Sequence, residues 1–246
     1  MNKNKNANSI TKYDNYVNEI RLNKLTPTEL NLMFKFFTDL RGEDSERIYS
    51  YHELRQILGD DTMHRTNEDF TRMIMGISTK FASIPFYYED EHKVGIFMPF
   101  HYFEADKDEF CLTVSINDRF KPYLNGLLNN YTSFIIEDFM RIKGKYAKHL
   151  FRLLKQYRTT GYMEIDLGML RYSLDIPDSI PNFKISEKVI DIAIKELNHY
   201  FKNLKYEPMK AHKRGAPLVG YRFKFEKEDL YVTSTYDGQM TIDDFE

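Results

Sequence analysis

Residues 162–225 constrain the fold more than any other stretch of this 246-residue chain. Tyr162-Met163-Glu164-Ile165 is a short extended run. Asp166 then precedes Leu167, Leu170 and Leu174, which marks a capped helix with one apolar face. A turn rich in Pro and Asp follows (Ile176-Pro177-Asp178). Val189, Ile190, Ala193, Ile194 and Leu197 recur at helical spacing and predict a second helix over about 187–201. Two further extended runs flank Lys210-Ala211-His212-Lys213-Arg214-Gly215. Helix, turn, helix and a hairpin with a cationic tip form the pattern of a winged helix-turn-helix. Such a module places its second helix in a DNA groove.

The net charge of -2 hides a strong partition. Residues 1–138 hold 16 Lys and Arg against 22 Asp and Glu, residues 139–225 hold 18 against 8, and residues 226–246 hold 1 against 7. A basic block between two acidic ones points to a polyanion for the middle segment; a solvated basic face is the bland alternative. A single cysteine, Cys111, rules out an intrachain disulfide framework and fits a reducing cytoplasm. The polar N-terminus is not a signal peptide, and no apolar run nears the ~20 residues needed to cross a membrane. No Gly-rich phosphate loop, nucleophile elbow or His/Cys metal spacing occurs. His52, His64, His92 and His101 form no His-hydrophobic-His pair of the kind a nicking initiator uses. The expectation is therefore a non-enzyme without metal or cofactor.

Along the chain, residues 1–14 are expected to be disordered. Thr26-Pro27-Thr28-Glu29 opens a helix to about residue 40, with Leu30, Met33, Phe34, Phe37 and Leu40 inward. Ser50 to Glu53 forms a second capping box, and Thr66 caps a helix over 67–81 carrying Phe70, Ile74, Ile77 and Phe81. Strands are expected over 84–89, 94–103 and 109–116. A basic helix precedes Gly161, with Ala147, Leu150, Phe151, Leu154 and Tyr157 on its apolar face. Two series of elements therefore match. The stripe from Leu30 to Leu40 corresponds to Ala147 through Tyr157, and Ser50, Leu54, Arg55 and Leu58 correspond to Asp166, Leu170, Arg171 and Leu174. Phe70, Ile74, Ile77 and Phe81 pair with Ile190, Ile194, Leu197 and Phe201, and Ile84 and Phe86 pair with Leu204 and Tyr206. The reading is an α+β chain of two tandem winged-helix domains related by internal duplication. Residues 15–130 would form the first and 131–225 the second, with an acidic tail over 226–246.

Candidate DNA contacts follow from that architecture. At the start of the second helix stand Asn182, Lys184, Ser186 and Lys188, with Lys195 further along, all types that meet base edges or phosphates. Glu187 in the same turn fits helix-dipole stabilisation better than base reading. The wing tip supplies Lys210, His212, Lys213 and Arg214. Lys143, Lys145 and Lys148 load the preceding helix. The acidic half offers the sparser set Arg65, Arg72 and Lys80. Its aromatic strands (Phe97, Phe100, Tyr102, Phe103, Phe110) suit either a protein interface or a core.

The run Lys145-Tyr146-Ala147-Lys148-His149-Leu150-Phe151-Arg152-Leu153-Leu154-Lys155-Gln156-Tyr157, with Gly161 and the helix over 167–174, resembles iteron-binding replication initiators of theta-replicating plasmids. Lys188-Val189-Ile190-Asp191-Ile192-Ala193-Ile194-Lys195-Glu196-Leu197-Asn198 is similar to that family's recognition helix, and Gly220-Tyr221-Arg222-Phe223-Lys224-Phe225 to its last strand. The resemblance implies a C-terminal winged helix that reads direct repeats at a plasmid origin. It implies an N-terminal one for dimerisation and auxiliary DNA contact. Monomers in equilibrium with homodimers would open the origin and recruit host replication proteins, while dimers repress the initiator's own promoter. Location would be cytoplasmic, on plasmid and nucleoid. Ser186 and Glu187 depart from the basic residues usual at the start of that helix, and no Leu-rich heptads surround Leu22, Leu25 and Leu30. A tandem winged-helix transcriptional regulator and a nicking rolling-circle enzyme are the competing readings.

Overall fold

Thr26 and Ser50 each open a helix by the same device. Each hydroxyl accepts from the backbone N–H three residues on, and the glutamate there (Glu29, Glu53) accepts from the cap residue's own N–H. Two orphan donors of the first turn are thereby satisfied, which fixes both helix starts. A computed structural model describes residues 10–228 apart from 23, 43, 60–61, 90, 126–129 and 212–214. The chain divides into two compact units, Thr11–Thr132 and Ser133 onward, Ile10 clustering with the second.

The first unit contains β1 (Ile10–Asp14), α1 (Pro27–Asp39), β2 (Glu46–Ser50), α2 (Tyr51–Leu58) and α3 (Asn67–Ala82). There follow β3 (Phe86–Glu89), β4 (Val94–Phe97), β5 (Phe100–Asp106), β6 (Cys111–Ile116) and α4 (Lys121–Asn125). Order begins within the segment expected to be disordered. Tyr13 is fully buried, packs 5.5 Å from Phe34 and donates to Asn18, so β1 has an anchor that composition did not reveal. Residues 1–9 lie outside the described residues. α1 buries Leu32 and Phe36 as well as its expected stripe, and Glu29 and Asn31 with them, making it a central helix buried nearly all round. Phe36, Phe37, Phe81, Phe100 and Phe120 pack ring against ring, with Phe37 stacked on Phe100 at 5.5 Å. The strand expected over 94–103 is two strands, with Met98-Pro99 between them, where proline supplies no ladder N–H.

β7 (Tyr131–Ile135) runs across the division between the units. The second unit continues through α5 (Ile136–Arg141), α6 (Lys145–Gln156), β8 (Tyr162–Asp166) and α7 (Leu167–Leu174). The second helix of the motif is composite: a 3₁₀ turn (Asn182–Lys184), a π turn (Ser186–Ile190) and α8 (Asp191–Leu197). β9 (Lys205–Lys210) and β10 (Leu218–Lys224) complete the wing.

The two units share one topology. Each has helix, strand, helix, helix and a final strand pair, and their antiparallel sheets have matching orders, β2-β6-β5 and β8-β10-β9. The hairpin β3–β4 is extra to the first unit and pairs only with itself. Phe86 lies in that hairpin, so the counterpart of β9 is β5, and the match of Ile84 and Phe86 to Leu204 and Tyr206 is corrected. The helix match slips too. Arg55 donates to the side-chain Oδ1 of Asn67 and Arg171 to that of Asn182, so the two asparagines are equivalent. Buried Phe70 then corresponds to Ile185, Ile77 to Ala193 and Phe81 to Leu197, the π turn absorbing one extra residue. A slip of about one turn preserves a 3.6-residue stripe, so periodicity alone could not exclude it.

Candidate nucleic-acid interface

The helix-turn-helix of the second unit is held from three directions. Asp166 caps α7 by accepting from the Met169 N–H. Asp175, in the left-handed conformation at the end of α7 (φ +53°), receives Lys145 of α6 at 2.7 Å. Glu196 of α8 accepts from the backbone N–H groups of Lys143 and Gly144, so its carboxylate serves the start of α6. Beneath the second helix, Ile185, Val189, Ile190, Ala193 and Leu197 are buried.

The turn between the helices is organised by Arg171. Its Nε and Nη2 donate to Oδ1 of Asn182 at 3.0 and 2.7 Å, and the same guanidinium donates to the carbonyls of Pro177 and Ile180. Sequence matching exposed this residue only as the partner of Arg55 in the repeat, with no role attached. Arg55 shows the same pattern, donating to the carbonyls of Thr62 and Thr66 and to Oδ1 of Asn67.

The candidate residues of the second unit fall into four groups. Asn182, Lys188, Lys195 and Lys210 are exposed, and so is Lys143. None of the four lysines makes an ion pair among the described residues. Lys188 and Lys195 lie seven apart on one helix face, and Ile192 between them is 57% exposed. Phe183 at the helix start is 77% exposed; neither apolar side chain was singled out by sequence. Lys184 and Ser186 are half-buried and engaged, Lys184 with Glu187 at 3.4 Å and Ser186 with the Tyr221 hydroxyl at 3.0 Å. His212, Lys213 and Arg214 lie outside the described residues; the loop is closed beneath them by the Ala211 N–H on Pro217 O.

Lys148 is a correction. It is fully buried, its Nζ donates to Phe139 O at 2.5 Å, and it lies 4.2 Å from that ring's centroid. Burial lowers its pKa to about 7. It reaches no phosphate. Lysine is so seldom buried that residue type alone places it on the outside of α6. Neighbouring His149 and Arg152 are buried as well.

In the first unit, Arg65 is exposed, Arg72 pairs with Glu68 and Asp69, and Lys80 binds Glu29 of the α1 capping box at 2.6 Å. Among its aromatics, Phe97, Phe100 and Phe103 pack with other rings, while Tyr102 and Phe110 are about two-fifths exposed.

The outer face of the wing sheet is nearly neutral. Arg222 of β10 sits between Glu164 of β8 and Glu207 of β9, its cross-strand neighbours, and Lys224 also pairs with Glu207. The hydrogen bonds that Arg222 donates to Glu207, Glu164 and Tyr162 raise its pKa further. In this unit the candidate lysines that stay exposed and unpaired lie on the second helix, at the loop base and at Lys143, while Arg222 and Lys224 of the sheet face are paired to carboxylates; Lys202, Lys205 and Lys227 are exposed as well.

A family model described as Initiator Replication protein, WH1, matches residues 10–155, and a second, Initiator Rep protein, WH2, matches residues 167–225. The chain belongs to this initiator family. The WH1 match runs past Thr132 through α6, and the WH2 match begins at α7. A curated relative of the initiator, the probable replication protein rep of Bifidobacterium longum (strain NCC 2705), is 28% identical over 227 residues, covering 90% of this chain and 74% of the relative. Among solved structures, the Pi initiator protein in complex with iteron DNA aligns with a TM-score of 0.66 at 14% identity. The alignment covers 91% of this chain and 99% of that one. At that identity the likeness establishes the fold, which is the pair of winged helices described above. No helix among the described residues is long and apolar enough to cross a membrane.

Proposed function

We propose that this initiator starts plasmid replication by binding direct repeats, the iterons, at the origin through its second unit. The observation that carries the reading is the set of unpaired, exposed lysines on and around the second helix of a family-assigned winged helix. Lys188 and Lys195 share its outer face, Lys210 stands at the loop base, and the sheet face beside them is neutralised. The Pi initiator, a fold relative, is itself complexed with iteron DNA. Several copies on adjacent repeats strain the neighbouring duplex, and the opened origin recruits host replication proteins. The first unit supplies dimerisation and auxiliary DNA contact, and the dimer represses the initiator's own promoter. The protein works in the cytoplasm, on plasmid and nucleoid. It has no catalytic step of its own.

Footprinting the full chain on the plasmid that carries its gene tests this. Regularly spaced protected repeats near the origin are expected; uniform or absent protection overturns the reading. Maintenance of a plasmid lacking its own initiator, supplied with this protein in trans, separates an initiator from a pure regulator. A covalent protein–DNA adduct on supercoiled origin DNA with a divalent metal would overturn the non-catalytic assignment.

A further inference from the structure

Asn182 begins the second helix, where side chains of a helix-turn-helix meet base edges. A carboxamide can read DNA in two ways. With oxygen and nitrogen both available it pairs bidentately with adenine; with the nitrogen alone it can only donate. A guanidinium carries donors and no acceptor. The Asn182 atom that faces Arg171 must therefore be the oxygen. Two donors of Arg171 meet it, Nε at 3.0 Å and Nη2 at 2.7 Å, which fills both lone pairs of that oxygen. The two N–H groups of Nδ2 remain for an outside partner.

We propose that Arg171 is a positioning residue that makes Asn182 a hydrogen-bond donor only, directed at an acceptor on the DNA: a purine N7 or O6, a thymine O4 or a phosphate oxygen. The inference rests on the DNA-reading assignment of the second unit. It assigns a polarity to the first contact of the helix and excludes the bidentate adenine pairing that an unrestrained asparagine would favour. The same guanidinium holds the Pro177 and Ile180 carbonyls, so turn and side chain are set together. A second observation supports a built device. Arg55 clamps its own turn through Thr62 and Thr66 and holds Oδ1 of Asn67 at 3.3 Å, so the arrangement occurs once in each unit.

The test begins with the full chain selecting duplexes from a randomised double-stranded library. The selected duplex is then altered one atom at a time. 7-Deazapurines remove N7, purine without its 6-amino group removes the adenine donor, 5-methyl-2-pyrimidinone removes thymine O4, and methylphosphonates remove phosphate charge. One acceptor should weaken binding by roughly three- to tenfold when removed, the scale of a single neutral hydrogen bond. Asn182→Asp keeps an acceptor for Arg171 but loses the donor, so it should fold normally and be indifferent to that same alteration. Arg171→Ala should lose discrimination at that position alone, and Arg171→Lys should retain part of it. Arg55→Ala, which removes the equivalent clamp in the first unit, should leave it unchanged. That control separates positioning from a general loss of stability.

Retention of the wild-type profile by Asn182→Asp or by folded Arg171→Ala overturns the proposal. So does an adenine 6-amino group whose removal matters to the wild type and not to Asn182→Ala, because that pair of results reports the bidentate contact. If the full chain enriches no duplex at all, the DNA-reading assignment itself falls.

Discussion

His149 and Lys148 are adjacent on α6, and burial suppresses the charge of both. His149 is held well below its usual value, to about 3, by burial and then by the charges of Arg152, Lys145 and Lys148. Its folded pKa lies below the unfolded one. Between pH ~6.5 and ~3 the unfolded chain therefore binds a proton that the folded chain refuses, and stability falls as pH drops through that window. Chemical denaturation of wild type and His149→Leu from pH 7 to 4.5 should show the wild type losing more stability. Parallel curves would contradict the assignment. Lys148 and Lys188 make a contrasting pair. Lys148→Ala removes a buried stem and its bond to Phe139, so it should cost about 2 kcal/mol or more of stability. It should leave the salt dependence of DNA binding unchanged. Lys188→Ala should leave the melting temperature within about 2 °C and weaken specific binding by ~1–3 kcal/mol if it meets a base edge. Equal weakening on random DNA reassigns it to a phosphate.

At the scale of elements, the strand β10 depends on one residue without a side chain. A Cβ on Gly220 would lie 2.3 Å from the Ile165 carbonyl oxygen across the β8–β10 pair. Gly220→Ala must therefore part the two strands or shift their register. A loss of about 2 kcal/mol or more is expected in thermal or urea unfolding, and an unchanged midpoint would refute this. The helix starts were legible because their signal is local: Thr26, Ser50, Thr66 and Asp166 all cap where the chemistry of their neighbours says they should. Lys148, Arg171 and the composite second helix were not. Each depends on what lies across a turn or on another helix, and a stripe such as Val189, Ile190, Ala193 and Leu197 looks the same before and after a one-turn slip. The hairpin β3–β4 is not told from the sheet strands by sequence, and Phe86 matches a wing-strand residue, because its Tyr and Phe have strand character whichever sheet they join.

Over the whole molecule, the partition of charge along the sequence is refined by pairing. Lys145, Lys155, Lys184, Arg222 and Lys224 are tied to carboxylates, while Lys143, Lys188, Lys195 and Lys210, among the candidate contacts, stay exposed and without an ion pair in the second unit. DNA affinity should fall steeply with salt, and removing any one of those four that meets a phosphate should lower the slope of log K against log salt by about 1. Reversal of Arg222 to Glu should leave that slope nearly intact if its face is turned from the duplex. The two units also differ in a way that evolution or an engineer can exploit. The second helix carries one residue more than α3, taken up in the π turn, and helices tolerate such a wide turn at modest cost. Deleting Glu187 should restore a continuous α-helix and keep α8 seated on its core. The residues before the deletion, Asn182 among them, would keep their phase relative to Lys195, because the wide turn already takes up the extra residue. A deletion variant that melts like the parent and selects the same duplex would show that the wide turn is a spacer on which sequence preference does not depend; selection of a different duplex would refute this.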